Sequence, residues 1–434
     1  MMHDVVGIVL AAVILVPALV LIVRRDVSRS LEFAVVASLA CAVLIPSFAT
    51  SAVVAVIAVL GPAALLAIAI IRDRAHLRTL QYPWVLAAFL AWSGIAGSFG
   101  SPVKLVLLNV ATVVLLMLFA VAVVGAGSRS RNVFLPLFPI VIVVELAIGI
   151  WEEVLRAPAP WPRANGTDVI SHRVNEVLPL LPGRAMGTTA QPIPYGVLVG
   201  FAVVVCLWFA VRTKSAALYT AAGLGLVTMV FAGTRSAFVT LAGVLVLWAL
   251  MRIRWRKSAL IWVVAAVVGV AAVMAILVVF MNSAVLATAS FQHRAGILST
   301  AGNLLGREPL QVVFGTGYAS IPDLLAHGIV SGVKGITVFD EEFVRTAAAM
   351  GLVGLGLLVA VIVRGIVKGT ELTRLLILFV AGTFLFFDGF SWRLIAMLFV
   401  LAIAYGYGKP GPSAWDVPRY LHRPLRRPVT EARR

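Results

Sequence analysis

Apolar stretches of roughly 17–25 residues recur from one end of this chain to the other, each long enough to cross a bilayer as a helix. Val5–Val23 is the first. Composition agrees. Of 434 residues, 62% are hydrophobic and only 12% charged, with a mean hydropathy of +1.06. A soluble globular chain is nearer half apolar and a quarter charged. The expected fold is all-α: a polytopic transmembrane helical protein forming a single transmembrane domain over residues 1–408, with no soluble domain. Val5–Val23 lacks a basic leader and a small-residue cleavage site, so it reads as a retained span rather than a removed signal.

The net charge of +17 invites a nucleic-acid reading. The distribution argues for positive-inside topology instead. Basic residues follow alternate apolar stretches: Arg24, Arg25 and Arg29; Arg72, Arg74 and Arg78; Arg129 and Arg131; Arg212 and Lys214; Arg252 to Lys257; Arg364, Lys368 and Arg374. A basic tail, residues 409–434, closes the chain. Placing all of these in the cytoplasm gives about 13 spans in the cytoplasmic membrane, with the N-terminus outside and the C-terminus inside. Cys41 and Cys206 fall within apolar stretches and imply neither a disulfide framework nor a metal knuckle.

Two loops on the outer side are long, about 152–191 and 282–346, the second lying between spans 10 and 11. Long loops of this kind are usually functional or disordered. The second contains helical patterns at Gln292–Leu305 and Ile321–His327 and a turn, Phe314-Gly-Thr-Gly-Tyr318, and is expected to fold over the membrane face. Asn165-Gly-Thr167 matches a glycosylation acceptor, a pattern common by chance.

Charged residues on that outer side carry the chemistry. Arg235 stands at the mouth of a span in Phe231-Ala-Gly-Thr-Arg-Ser236, where a guanidinium is costly to keep. Arg184 and Arg294 lie in the two outer loops, and Asp340-Glu341-Glu342 precedes span 11. Arginine suits a lipid-carried diphosphate because it stays charged and binds phosphate oxygens bidentately. A carboxylate crowded by others and partly desolvated suits a general base, with Asp340 the first candidate and Glu341 the second. Taken singly, each has a plainer reading: Arg235 as a snorkelling side chain, Arg184 and Arg294 as loop charges, the acids as a solvated run. Glu145 lies inside an apolar stretch, with Glu152 two turns on, and is expected to support the arginines. Asp388 and Arg393 mark the last outer hairpin and are expected to pair. No His, Cys or Asp spacing points to a metal, and no cofactor is implied.

Taken in order, these segments resemble the O-antigen ligase/polymerase (Wzy-type) superfamily. Phe231-Ala-Gly-Thr-Arg-Ser-Ala-Phe238 before an apolar span resembles its core motif. Arg184-Ala-Met-Gly-Thr…Gln-Pro192, His293-Arg-Ala-Gly296, Val313-Phe-Gly-Thr-Gly-Tyr318 and Asp340-Glu-Glu-Phe-Val…Gly-Leu-Val-Gly-Leu355 resemble its companions. The resemblance covers roughly Arg184 to Leu355. It implies a GT-C-like, metal-independent glycosyltransferase acting on a polyprenyl-diphosphate-linked glycan donor and a glycan or lipid-glycan acceptor. Diphosphate binding would fall to Arg235, Arg294 and, less directly, Arg184. The base or acceptor-positioning role would fall to Asp340. Ligases carry a His-Asn-like pair where this chain has Asp340-Glu341, which favours a polymerase or another acceptor. Membrane lipids are expected partners, with chain-length regulators or export components as candidates and no nucleic acid. Two other classes compete: a transporter or flippase of lipid-linked sugars, and a cell-wall glycan polymerase using lipid II.

Overall fold

The computed structural model describes residues 2–24, 29–46, 51–77, 81–126, 137–161, 175, 177–178, 181, 183–254, 289–333 and 339–407. Asn165–Thr167, the stretch at 258–282 and the basic tail lie outside them.

Among the described residues the protein is all-helical, with no strand. The helices are α1 (Met2–Arg24), α2 (Ser30–Leu44), α3 (Ala52–Arg72), α4 (Arg74–Leu77), α5 (Trp84–Ala96), α6 (Val103–Ala126), α7 (Leu137–Glu153) and α8 (Pro192–Thr213). They continue with α9 (Ala216–Ala232), α10 (Arg235–Arg254), α11 (Ala289–Thr300), α12 (Pro309–Phe314), α13 (Ile321–Ala326), α14 (Glu342–Lys368), α15 (Glu371–Thr383) and α16 (Arg393–Tyr405). By length and composition, five of these can cross a membrane: α1 from Asp4, α3, α6, α8 and α14. Several others are apolar but shorter.

Burial sorts the helices. In α16 every residue from Arg393 to Ala404 is buried, and α8 is buried along most of its length. A helix that is apolar all round belongs at a core. Around α8 pack α7, α9, α10 and α15, while α16 packs on α6 and α15. By contrast α1 exposes Val5, Val9, Val13, Val16 and Val20.

Helix ends gather at two poles. At one, Arg72 donates to Val23 O across 3.0 Å, Arg364 to the Tyr407 hydroxyl across 3.0 Å, and Arg374 to Ile366 O across 2.8 Å. Glu371 ties three helices there, pairing with Arg212 of α8 and accepting from Trp248 Nε1 of α10 across 2.7 Å. This is the basic pole. At the other, Glu342 N donates to Phe384 O across 2.9 Å, Thr234 Oγ1 to Pro192 O across 2.8 Å, and Arg393 to Ile45 O.

The segment between α11 and α14 sits at this second pole. It has its own small core of Ile297, Leu304, Ile321, Leu324, Val330 and Phe339, closed by Val344 and Ala348 of α14. The apolar pattern of α14 runs unbroken, yet the helix breaks at Gly351 (φ 67°, ψ −170°). A break frees carbonyls that need donors. Gly317 N reaches Ala349 O at 2.9 Å, Trp92 Nε1 reaches Met350 O at 3.0 Å, and Arg307 reaches Ala348 O and Ala347 O at 3.1 and 3.3 Å. The Gly-Thr-Gly turn is thus the piece that seals the break.

Candidate functional site

The acidic run lies at the start of α14 and its three members face different surroundings. Asp340 Oδ2 is 3.3 Å from Arg294 Nε, and both side chains are about a quarter exposed (26% and 24%). Arg294 is carried by α11, whose buried His293 accepts from Val333 N through Nδ1 at 3.1 Å and so fixes the helix on its loop. The expected meeting of the 294 and 340 regions therefore occurs.

Glu341 is 1% exposed, and neither of its carboxylate oxygens has a hydrogen-bond partner. Burial, with Asp340 adding repulsion, pushes its carboxyl up from 4.5 to about 8, against a smaller pull from Arg294. The folded protein then holds a proton that the unfolded chain releases above about pH 4.5, so stability falls as pH rises from there to about 8. Glu341→Gln keeps the shape and removes the charge. Its melting temperature should match wild type near pH 5 and exceed it above pH 8; parallel curves at both pH values would refute the buried proton.

Glu342 is wholly buried and structural. Its carboxylate accepts from Phe390 N at 2.9 Å, Thr346 Oγ1 at 3.0 Å and Arg345 Nη1 at 3.4 Å, joining α14 to the α15–α16 hairpin. Arg345 in turn lies 4.2 Å over the Tyr318 ring. Sequence reasoning left Glu342 in the acidic run without a role of its own. Asp388 and Arg393 do not pair as expected. Asp388 accepts from Trp392 Nε1 at 3.2 Å, and Arg393 turns to the carbonyl end of α2. The single 3₁₀ turn at Gly389–Ser391 and the following helix send the two side chains to different neighbours.

The other arginines form a second group. Arg184 Nε donates to Ala232 O at 3.1 Å and Nη2 to Thr234 Oγ1 at 3.1 Å. A cation on the last carbonyls of α9 is favourably placed against the helix dipole. Gly233 (φ 59°) then turns the chain so that Arg235 opens α10. Asn175, which sequence reasoning missed, braces the same turn from Nδ2 to Val230 O at 2.7 Å.

Three carboxylates of α7 hold the Arg184 loop by its backbone. Glu153 accepts from Gly183 N (2.9 Å), Glu152 from Met186 N and Gly187 N (2.8 and 3.0 Å), and Glu145 from Thr188 N (3.1 Å) and the Thr188 hydroxyl. Glu145, expected to support the arginines, is placed against the Thr188 amide and hydroxyl of the Arg184 loop rather than against a guanidinium. Glu145→Leu would leave the buried Thr188 amide unpaired at about 1–3 kcal/mol. Hydrogen exchange over residues 183–189 should speed up in that variant, and unchanged protection would count against the brace.

No family model, curated protein or solved structure matches this chain.

Both groups adjoin the same end of α15. A Cβ at Gly382 would come within 2.6 Å of Thr240 Cγ2 on α10, while Phe384 O accepts from Glu342 N. Arg235 is five residues from Thr240, about 7.5 Å along the helix axis. The structure thus brings Arg184 to the Arg235 turn, and Arg294 to Asp340. Among the described residues no hydrogen bond or ion pair joins Arg235 to Arg294, Asp340 or Glu341. Among the described residues no three His, Cys, Asp or Glu side chains are grouped as a metal requires.

Proposed function

We propose that this protein is a membrane glycosyltransferase that joins polyprenyl-diphosphate-linked oligosaccharides into a surface polysaccharide. It works at the extracytoplasmic face of the cytoplasmic membrane. The observation that carries this reading is the Arg294–Asp340 pair, set beside the buried and unpartnered Glu341 at one helix pole. The Arg184–Arg235 turn flanks the same helix end, in the motif order of the Wzy-type superfamily.

The basic pole supports the orientation. Arg24, Arg72, Arg212, Lys214, Arg364 and Lys368 end or follow helices there, and the positive-inside rule assigns such ends to the cytoplasm. The alternation of basic and non-basic ends along the sequence fits about 13 spans in a GT-C-like arrangement.

In this reading Asp340, being part exposed, is the carboxylate an acceptor hydroxyl can reach. It takes the hydroxyl proton as the oxygen attacks the anomeric carbon. The bond from that carbon to the diphosphate oxygen breaks, and its electrons leave on the polyprenyl diphosphate. Arg294 and Arg235 stabilise that growing charge, a contribution of about 3 kcal/mol for each well-aimed donor. Donor diphosphate competes with Asp340 for Arg294, so the base is released only once the donor is seated. Glu341 backs Asp340 as a second carboxyl group able to accept or return a proton.

A flippase reading draws on the break in α14, because interrupted helices mark many transport sites. The freed carbonyls here are occupied by Arg307, Gly317 and Trp92, which leaves them little capacity to hold cargo. Full-length protein in vesicles, given a synthetic lipid-linked oligosaccharide, should yield a longer lipid-linked product and free polyprenyl diphosphate in equal amounts. Translocation of the donor with no new glycosidic bond would decide for transport.

A further inference from the structure

The short helix α12 presents Leu310, Val313 and Phe314 on one face, spaced three and four residues apart. They are 71%, 38% and 40% exposed, and Leu305 just before them is 63% exposed. Water is a poor partner for such a face. At about 25 cal/mol per Å² its exposure to water would be a standing cost, and among the described residues it is left largely uncovered.

Its position says what covers it. The Phe314 ring lies 5.9 Å from that of Trp92 on α5, and Gly317 is pressed against Phe99 O in the α5–α6 turn. Exposed apolar side chains follow on the adjoining elements: Ile95 of α5, Phe99 of the turn, and Val103, Leu107, Val110 and Val114 on one face of α6, a helix able to cross a membrane. The face of α12 thus adjoins a helix whose exposed apolar face a bilayer would cover.

Depth agrees. α12 docks at the Gly351 break, where Val313 O and Gly315 meet the α14 backbone. From Leu352 to Lys368 the helix spans about 26 Å, close to the roughly 30 Å of a hydrocarbon core. α12 thus stands at one edge of that core. Its first residue follows Glu308, which is exposed and polar.

We infer that α12 is an interfacial membrane helix: its Leu310–Val313–Phe314 face is buried in the acyl chains of the bilayer, and it seats the α11–α14 segment on the lipid. This rests on the protein being membrane-embedded and not on the glycosyltransferase reading.

The test is nitroxide accessibility in full-length protein reconstituted in phosphatidylethanolamine–phosphatidylglycerol vesicles. Cys41 and Cys206 are buried (0% and 1% exposed), so single cysteines can be introduced at Leu310, Val313 and, as a reference, Asp323 of α13. Unmutated protein serves as the labelling control. At 310 and 313, dissolved oxygen should relax the label more than an aqueous nickel chelate, and at 323 the order should reverse. A label at 310 as accessible to nickel as that at 323 overturns the inference. So does a label immobilised and shielded from both, which would mean that protein covers the face.

Discussion

Arg294→Ala should lower glycan transfer by roughly 10²–10³-fold, the loss expected when one aimed donor to a developing anion is removed. The variant should still insert, because Arg294 is part exposed and pairs with the part-exposed Asp340. Arg294→Lys should recover only part of the rate. An ammonium is a point charge and lacks the fork that grips two phosphate oxygens. Arg235→Ala should fall comparably, whereas Arg184 already serves Ala232 and Thr234, so its replacement should cost fold as well as rate. Product length and free polyprenyl diphosphate, measured at equal membrane levels of protein, are the readouts. Wild-type polymer from Arg294→Ala membranes would remove the chemical basis of the proposal.

Gly317→Val should be strongly destabilising. Gly317 adopts φ 84°, ψ 163°, a region open to glycine alone, and a Cβ there would lie 1.9 Å from Phe99 O. Backbone strain of 1–3 kcal/mol and a backbone clash add, for a loss on the order of 3 kcal/mol or more. The Gly-Thr-Gly turn would lift from α14 and leave Ala349 O without its donor. Gly302→Ala is the control, since nothing lies within 4 Å of the added methyl, and it should shift stability by no more than about 0.5 kcal/mol. Thermal midpoints by size-exclusion fluorescence in detergent should separate the two. Equal midpoints would mean that the turn does not seal the break.

The helical architecture was readable because length and apolar continuity are one-dimensional properties. The short helices of the α11–α14 segment were readable for the same reason: the pattern at Gln292–Leu305 becomes α11 with the turn after it, and that at Ile321–His327 becomes α13. The break at Gly351 was hidden. Ala347-Ala-Ala-Met-Gly-Leu-Val353 is a good helix in composition, and only the donors brought by Arg307, Gly317 and Trp92 make a break affordable. The acidic run showed that carboxylates cluster but not how they divide, since burial of Glu341 and Glu342 beside the part-exposed Asp340 is a matter of packing. Asp388 and Arg393 were matched by nearness in sequence, and the turn between them defeats that rule. Glu153, Arg307 and Asn175 act on distant backbone groups, and backbone partners leave no residue-type signature.

Glu371 holds α8 and α10 to α15 at the basic pole, through Arg212 and Trp248. One carboxylate therefore sets both the spacing of α8 from α10 and the level at which α15 begins. Glu371→Gln would weaken two helix contacts in a single change, at the end of the bundle away from Arg235.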